Sequence, residues 1–397
     1  MIKILTITFH YETRTAGGAS KSFLKIIDGL KQSKEFKIEA LTFSIRKKLV
    51  NLYKPIPIGY FAYIPKIVKK INNFRPSIII TQTALALPSI ISGKIKNIPV
   101  INIIRDTSLI CPKYLDIVDY GNSCPGLKSK RICYSCINYW RTLRVLLGNR
   151  PKGWQNSFKS VSSTLVYKIL YFICRMQLYV FNKASINLVA SNLMKSILSN
   201  NLRSEKIKVL NITPIEKTEI PSSINKKNQL LFLIPTYDAS HKGLNFILSL
   251  SKHIPNNYKI VIVGKILAPN KIREFQSKII NYGFTTGKQL DDLFQSSKIT
   301  LVPTFCTEAF GRIITESIIN KTPVISSPNC GANSFIENKD YLATVPLKIS
   351  LWVHKVNEFI ENPPLISNDD INLLYDQFSI YKSKLEFSDL IKSLIKQ

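Results

Sequence analysis

Acidic residues are scarce in this 397-residue chain, which holds 55 lysines and arginines against 25 aspartates and glutamates. The shortage is local. Residues 1–200 carry 31 basic and 7 acidic side chains, so +24 of the total charge of +30 sits there. A positive field of that kind attracts nucleic acid, anionic lipid or a phosphorylated substrate. Abundant Ile, Lys and Asn fit an AT-biased gene, which accounts for Lys over Arg but not for the missing acids. Cysteine is sparse too. Seven in all, unevenly placed, argue against a secreted disulfide scaffold and for a reducing compartment. The opening MIKILTITFH lacks a long apolar core and a small-residue cleavage site, so it reads as a buried first strand, not a signal peptide. Long unbroken apolar runs are missing. Residues 164–181, TLVYKILYFICRMQLYVF, are interrupted by Lys168 and Arg175, which argues against a spanning helix. An amphipathic helix is expected there, either interfacial or in the core of the first domain. The G-x-G-x-x-G of a dinucleotide-binding dehydrogenase does not follow the first strand, where the chain reads HYETRTAGGAS. Nor are Lys and Arg interleaved with stacking aromatics as in an RNA-binding motif, so no nucleic-acid partner is expected.

What is present is enough apolar mass, 45%, for two buried cores. Strand-like runs alternate with helical patterns. IKILTITF leads to GGASKSFLKIIDGL, PSIIITQT to an apolar segment, then PVINIIRD, and ASINLVAS to NLMKSIL. Residues 211–229 turn polar and rich in Pro, Ser and Asn, as a linker does. The alternation then restarts with LLFLIPTYD, KGLNFILSLSKHI, YKIVIVGK, KQLDDLFQSS, ITLVPTF, GRIITESIIN and TPVISS. This pattern predicts an α/β protein with two parallel sheets covered by helices, and a cleft between domains as the ligand site. The expected divisions are a first domain over 1–210, with a Cys-rich insert at 111–136, and a linker at 211–229. A second domain over 230–375 and a C-terminal helix at 376–397 packing back on the first complete the set.

The segment TFCTEAFGRIITESII places Glu308 and Glu316 eight residues apart, where a strand runs into a helix. Gly311 lets backbone approach a ligand closely, and the N–H groups of a first helical turn suit a phosphate. Ionised carboxylates beside them suit sugar hydroxyls, since each accepts two or more hydrogen bonds. The combination fits a nucleotide sugar. Taken alone, the spacing is more often that of a helix-start charge and a solvated helix position.

The surrounding residues extend the pattern. Gly283, the Leu290/Phe294 helix, Pro303-Thr304, Glu308 to Arg312, Glu316, Thr322-Pro323-Val324 and Gly331 follow in order. Lys242-Gly243, Gly264 and the glycine pair Gly17-Gly18 agree with them. Together they resemble the retaining glycosyltransferases of family 4, glycosyl transferases group 1, which have the GT-B fold of two Rossmann-like domains facing across a cleft. The resemblance implies a nucleotide-sugar donor. It places Glu308 at the donor sugar, Glu316 at the ribose, Lys242 on the diphosphate and the Phe310–Gly311–Arg312 backbone at sugar and phosphates. It puts Gly17, Gly18 and Gly264 in the donor site and Arg105, Asp106 and Glu308 at the catalytic position. It also implies transfer without a cofactor or divalent metal, on the face from which the diphosphate leaves. Three departures stand out. Thr236 and Tyr237 fall where the family has Gly-Arg, so one phosphate cation is missing unless Arg312, Lys265 or Lys288 substitutes. Lys321 replaces a glycine, and Arg105 replaces a histidine.

Cys111, Cys124, Cys133 and Cys136 form C-x12-C-x8-C-x2-C, which has the ligand count and closing CxxC of a structural zinc site; a loop of free or paired cysteines is the alternative. Similar Cys-rich inserts occur in some family members after the fourth strand. The expected function is sugar transfer to a glycan or polyprenyl-diphosphate-linked acceptor in surface polysaccharide synthesis. The expected place is the cytoplasm, peripheral on an anionic membrane surface. A sugar-nucleotide epimerase of the same fold and a non-enzymatic polyanion-binding protein are the competing readings.

Overall fold

The structure, a computed structural model, describes residues 1–9, 18–43, 57–82, 85–107, 163–215, 225–234, 240–264, 266–267, 273–275, 277–336 and 338–396. Among these, the chain up to Thr213 together with Ser383 onward forms one compact unit, and Pro214–Lys382 forms a second.

The first unit is built on a six-stranded parallel sheet. Its strands are β1 (Ile2–Phe9), β2 (Phe36–Phe43), β3 (Ile78–Gln82), β4 (Val100–Ile103), β5 (Ile186–Val189) and β6 (Ile207–Val209), in the order β2-β1-β3-β4-β5-β6. Helices α1 (Gly18–Lys31), α2 (Ile64–Phe74), α3 (Ala86–Ile95), α4 (Ser163–Phe181) and α5 (Asn192–Ser199) belong to it. The central strands are apolar because helices cover both faces of a parallel sheet. Ile4, Leu5, Ile7, Ile78, Ile79 and Ile80 are fully buried. Helix α2 shows the complementary pattern, with Ile67, Ile71 and Phe74 on its buried face and lysines elsewhere.

The second unit repeats the scheme. It has β7 (Gln229–Leu233), β8 (Lys259–Val263), β9 (Ile279–Gly283), β10 (Ile299–Val302), β11 (Val324–Ser326) and β12 (Leu342–Thr344). Between and after them run α6 (Leu244–Ser251), α7 (Lys288–Ser296), α8 (Arg312–Ile319), α9 (Ile349–Glu361) and α10 (Asn368–Phe378). The order β12-β11-β10-β7-β8-β9 is that of a dinucleotide-binding sheet, all pairs parallel. Its core centres on Trp352, fully buried, edge-on to Phe246 at 5.2 Å, with the indole N–H donating to the Pro346 carbonyl at 3.0 Å. Gln229 opens β7, so the expected linker over 211–229 ends before it. Helix α10 stops at an extended Ser379, and α11 runs Ile380–Ile395.

The fold expectation of two Rossmann-like domains holds. The expected amphipathic stretch is α4, and its large residues divide between two sides. Phe181 and Leu178 are buried, whereas Phe172 and Tyr179 are 67% and 64% exposed. Among the described residues, no helix is long and apolar enough to cross a membrane.

Candidate active site

In the second sheet the strand order reverses between β7 and β10, and ligands of open α/β sheets bind beyond the carboxyl ends of strands at such a point. Two side chains meet there. Lys242 follows β7, in the short 3-10 turn Ser240–Lys242. Glu308 follows β10. Their ammonium and carboxylate form an ion pair, with side chains 22% and 23% exposed.

The backbone fixes both partners. Gly243 has φ 92°, and a Cβ there would lie 2.2 Å from the Pro303 carbonyl oxygen, so only glycine lets the turn pass against the end of β10. The Phe305 N–H donates to the His241 carbonyl at 2.8 Å, which locks the two loops together. Glu308 is held from its other side. Its N–H donates to the Asn329 carbonyl at 2.8 Å, and the Gly331 N–H donates to the Glu308 carbonyl at 3.0 Å. Ser327 Oγ and Asn329 Nδ2 both donate to the Thr304 carbonyl, at 2.8 and 3.0 Å. The loop carrying Glu308 is thus laced to the segment after β11.

Helix α8 begins directly beyond this loop. Gly311 precedes it with φ 87° and no side chain caps it. Within its first turns Arg312 Nη2 donates to Glu316 Oε1 at 2.7 Å. A second cation–carboxylate pair therefore lies on the same structural segment as the first. Phe310 anchors the helix start from below. Its ring is buried against Phe335 and Phe378, with centroids 5.9 and 5.1 Å away, and its carbonyl accepts from the Ala332 N–H at 2.5 Å.

Burial pulls the Lys242 ammonium below its ordinary value, and the nearby thiols of Cys306 and Cys330 oppose that shift. Burial pushes the Cys330 thiol up to about 12, so it stays protonated at neutral pH and is no nucleophile. The site therefore holds two paired cations and two paired carboxylates, an arrangement that offers both charges to a ligand without net charge of its own.

Residues 216–372 match the family model of glycosyl transferases group 1. This group 1 segment includes Lys242, Glu308, Arg312 and Glu316. Among solved structures, the chain is similar to HepE from Anabaena in complex with UDP, at 14% identity, TM-score 0.66, 99% of this chain and 100% of that one. It is similar to HepE in complex with UDP-glucose at 15% identity, TM-score 0.65 and the same coverage. Sucrose-phosphate synthase from Thermosynechococcus elongatus shows 12% identity, TM-score 0.66 and full coverage of both chains. At these identities the likeness shows the fold alone. The sequence matches no curated protein.

The remaining expected residues lie apart from the group 1 segment or are fixed elsewhere in it. Gly264, φ 117°, passes where a Cβ would sit 1.7 Å from the Ile234 carbonyl oxygen, so it shapes the end of β8. Lys288 opens α7. In the first unit Gly18 opens α1. Arg105 is half-buried beyond β4, where Nε donates to Gln82 Oε1 at 3.3 Å and Nη1 to the Ile212 carbonyl at 2.9 Å. It ties the sheet end to the segment after β6. Asp106 beside it is exposed. Gly17, Lys265, Thr236, Tyr237, Cys111, Cys124, Cys133 and Cys136 lie outside the described residues. Sequence reasoning missed the Asn329–Gly331 support of Glu308 and the pairing of Lys242 with Glu308. Only the spacing of Gly331 behind β11 hinted at the former.

Proposed function

We propose that the chain is a retaining glycosyltransferase of family 4, moving a hexosyl or related sugar from a nucleotide-sugar donor to a glycan or polyprenyl-diphosphate-linked acceptor in surface polysaccharide synthesis. The observation that carries this is the meeting of Lys242 and Glu308 at the strand-order reversal, beside the Arg312–Glu316 pair at the start of α8. A donor diphosphate fits the two cations and the helix start, and donor hydroxyls fit the two carboxylates. As the glycosidic bond to the diphosphate breaks, the acceptor hydroxyl attacks from the same face and passes its proton to a diphosphate oxygen. The chain's own part is to position both partners and to hold positive charge on the leaving group. The complexes of HepE with UDP and UDP-glucose support a uridine donor as the first to try.

The test is thermal stabilisation across a panel of nucleotide sugars, followed by transfer. A donor at 100 times its dissociation constant is expected to add about 2.7 kcal/mol. Isomerisation of the donor without transfer would instead favour the epimerase reading; a protein assigned as a UDP-N-acetylglucosamine 2-epimerase from Listeria monocytogenes shares the fold at TM-score 0.52 and 9% identity. Glu316→Ala is expected to weaken donor binding by about 1.5–3 kcal/mol, the loss of a charged hydrogen bond. Unchanged affinity in the folded variant removes its ribose role.

The four insert cysteines are proposed to hold one structural zinc, since four thiolates are a donor set that zinc prefers and closes on tetrahedrally. Elemental analysis of protein purified without an affinity-metal step is expected to find one zinc per chain; none leaves a thiol or disulfide loop. Peripheral attachment to the cytoplasmic face of an anionic membrane is also proposed. Ile169, Phe172 and Tyr179 are exposed on α4, with Arg175 exposed among them. Each basic residue near an anionic bilayer contributes about 1 kcal/mol. Co-sedimentation with vesicles of rising anionic-lipid content, lost at high salt, is the expected result. Protein left in the supernatant at low salt points to a soluble acceptor.

A further inference from the structure

A groove of about 540 Å³ opens in the first unit, at the edge where the strands of its sheet begin. Gln82 and Arg105 mark the opposite edge. Ser77, Val100 and Ser185 lie at the starts of β3, β4 and β5, and Lys206 immediately precedes β6. Three lysines line it: Lys94 at the end of α3, Lys183 just beyond α4, and Lys206. None of the three is in an ion pair among the described residues. The Lys206 ammonium donates to the Ala184 carbonyl at 2.8 Å, and the Lys183 ammonium lies 4.8 Å from the Tyr179 ring centroid.

From these residues we infer a second anion site, one that binds a phosphate group through Lys94, Lys183 and Lys206. Like charges gathered in a concave site repel one another, so a dianion relieves a repulsion that the fold alone leaves unbalanced. Lys206 registers that situation. Burial first, then Lys94, Arg203 and Lys183, pull its ammonium below the ordinary value, and Glu205 pulls the other way. Two hydroxyls complete the cradle. Ser77 Oγ accepts from the Lys3 N–H at 3.4 Å and Ser185 Oγ from the Val100 N–H at 3.1 Å, so each retains its own hydrogen for an anion. Leu394 and Ile395 of α11 supply an apolar wall, which suits a phosphate ester better than a bare inorganic ion. The groove lies in the first unit, whereas the Lys242–Glu308 and Arg312–Glu316 pairs lie in the second.

The phosphate could arrive on a soluble ester or on a lipid headgroup, because Tyr179, which touches Lys183, also belongs to the exposed face of α4. Lysine acetylation of the intact chain, read by peptide mass spectrometry, separates these sources. The probes are inorganic phosphate, glycerol phosphate, phosphatidylcholine vesicles containing phosphatidic acid, and phosphatidylcholine vesicles containing oleate. All are compared with chloride at equal ionic strength. Labelling of Lys94, Lys183 and Lys206 is expected to slow about tenfold when a phosphate probe stands at about ten times its dissociation constant. Exposed Lys348 serves as the internal reference. Protection by glycerol phosphate identifies a soluble ester as a sufficient source, whereas protection by inorganic phosphate alone supports the anion site and overturns the ester. Protection by phosphatidic acid vesicles alone identifies the headgroup. Protection equal with the oleate vesicles means that the membrane merely covers the surface, and it overturns the site, as does unchanged labelling with every probe.

Discussion

Lys242→Met is expected to lower the turnover of sugar transfer by about 10²–10³-fold, the usual loss when one preorganised charge is removed from a developing anion. The donor's dissociation constant should rise less than turnover falls, because the diphosphate carries more charge as it leaves than while bound. Lys242 stands at the reversal of strand order and is held there by Gly243 and by the locked His241–Phe305 backbone. Buried as it is, the ammonium is stabilised by the carboxylate of Glu308, and an arriving diphosphate can take over that partnership while Glu308 turns to donor hydroxyls. Lys242→Arg keeps the charge but changes its reach and is expected to fall between the two. Steady-state kinetics with the preferred donor decides. A Lys242→Met variant with turnover within a few-fold of the parent removes the proposed role, provided that its thermal midpoint shows a folded protein.

Gly243→Val should be the most damaging substitution in structural terms. A left-handed backbone costs an L-residue about 1–2 kcal/mol, and overpacking adds about 1–3 kcal/mol more. Here the new Cβ would stand 2.2 Å from a backbone carbonyl oxygen and 2.9 Å from the Pro303 ring, so no side-chain rotation relieves it. The turn must move away from β10, taking Lys242 with it. Denaturant unfolding is expected to show a loss of about 3 kcal/mol or more, and the folded remainder should have the activity defect of Lys242→Met. A stable, fully active Gly243→Val protein contradicts the geometry of the turn.

The strands legible in the sequence and those that were not divide on a physical line. β1, β3, β4, β5, β7, β8, β10 and β11 announce themselves as apolar runs, and all eight are interior strands. The four without such a run, β2, β6, β9 and β12, are the edges of the two sheets. An edge strand has a solvated flank, so its pattern is diluted with polar residues. FKIEALTF in β2 alternates Lys37 and Glu39 with apolar residues, and β9 exposes Ile280 and Tyr282. In the site, Glu308, Gly311, Arg312 and Glu316 were legible because they lie on one continuous segment where a strand becomes a helix. The Asn329–Gly331 brace was not, because it depends on β10 and β11 lying side by side.

The two units do not follow one another along the chain. Pro214–Lys382 is set into a first unit that resumes at Ser383. Helix α11 supplies that unit with buried Phe387, Leu390 and Ile391, and joins it through Lys392 to Glu35 at 2.8 Å and through Glu386 to the Asn211 N–H at 3.4 Å. Exchanging the first unit between relatives is a direct way to learn what that unit contributes. Here a crossover near Pro214 alone would pair a new first sheet with a foreign last helix. A workable graft needs two junctions, the second close to Ser383, so that the closing residues travel with the sheet they cover.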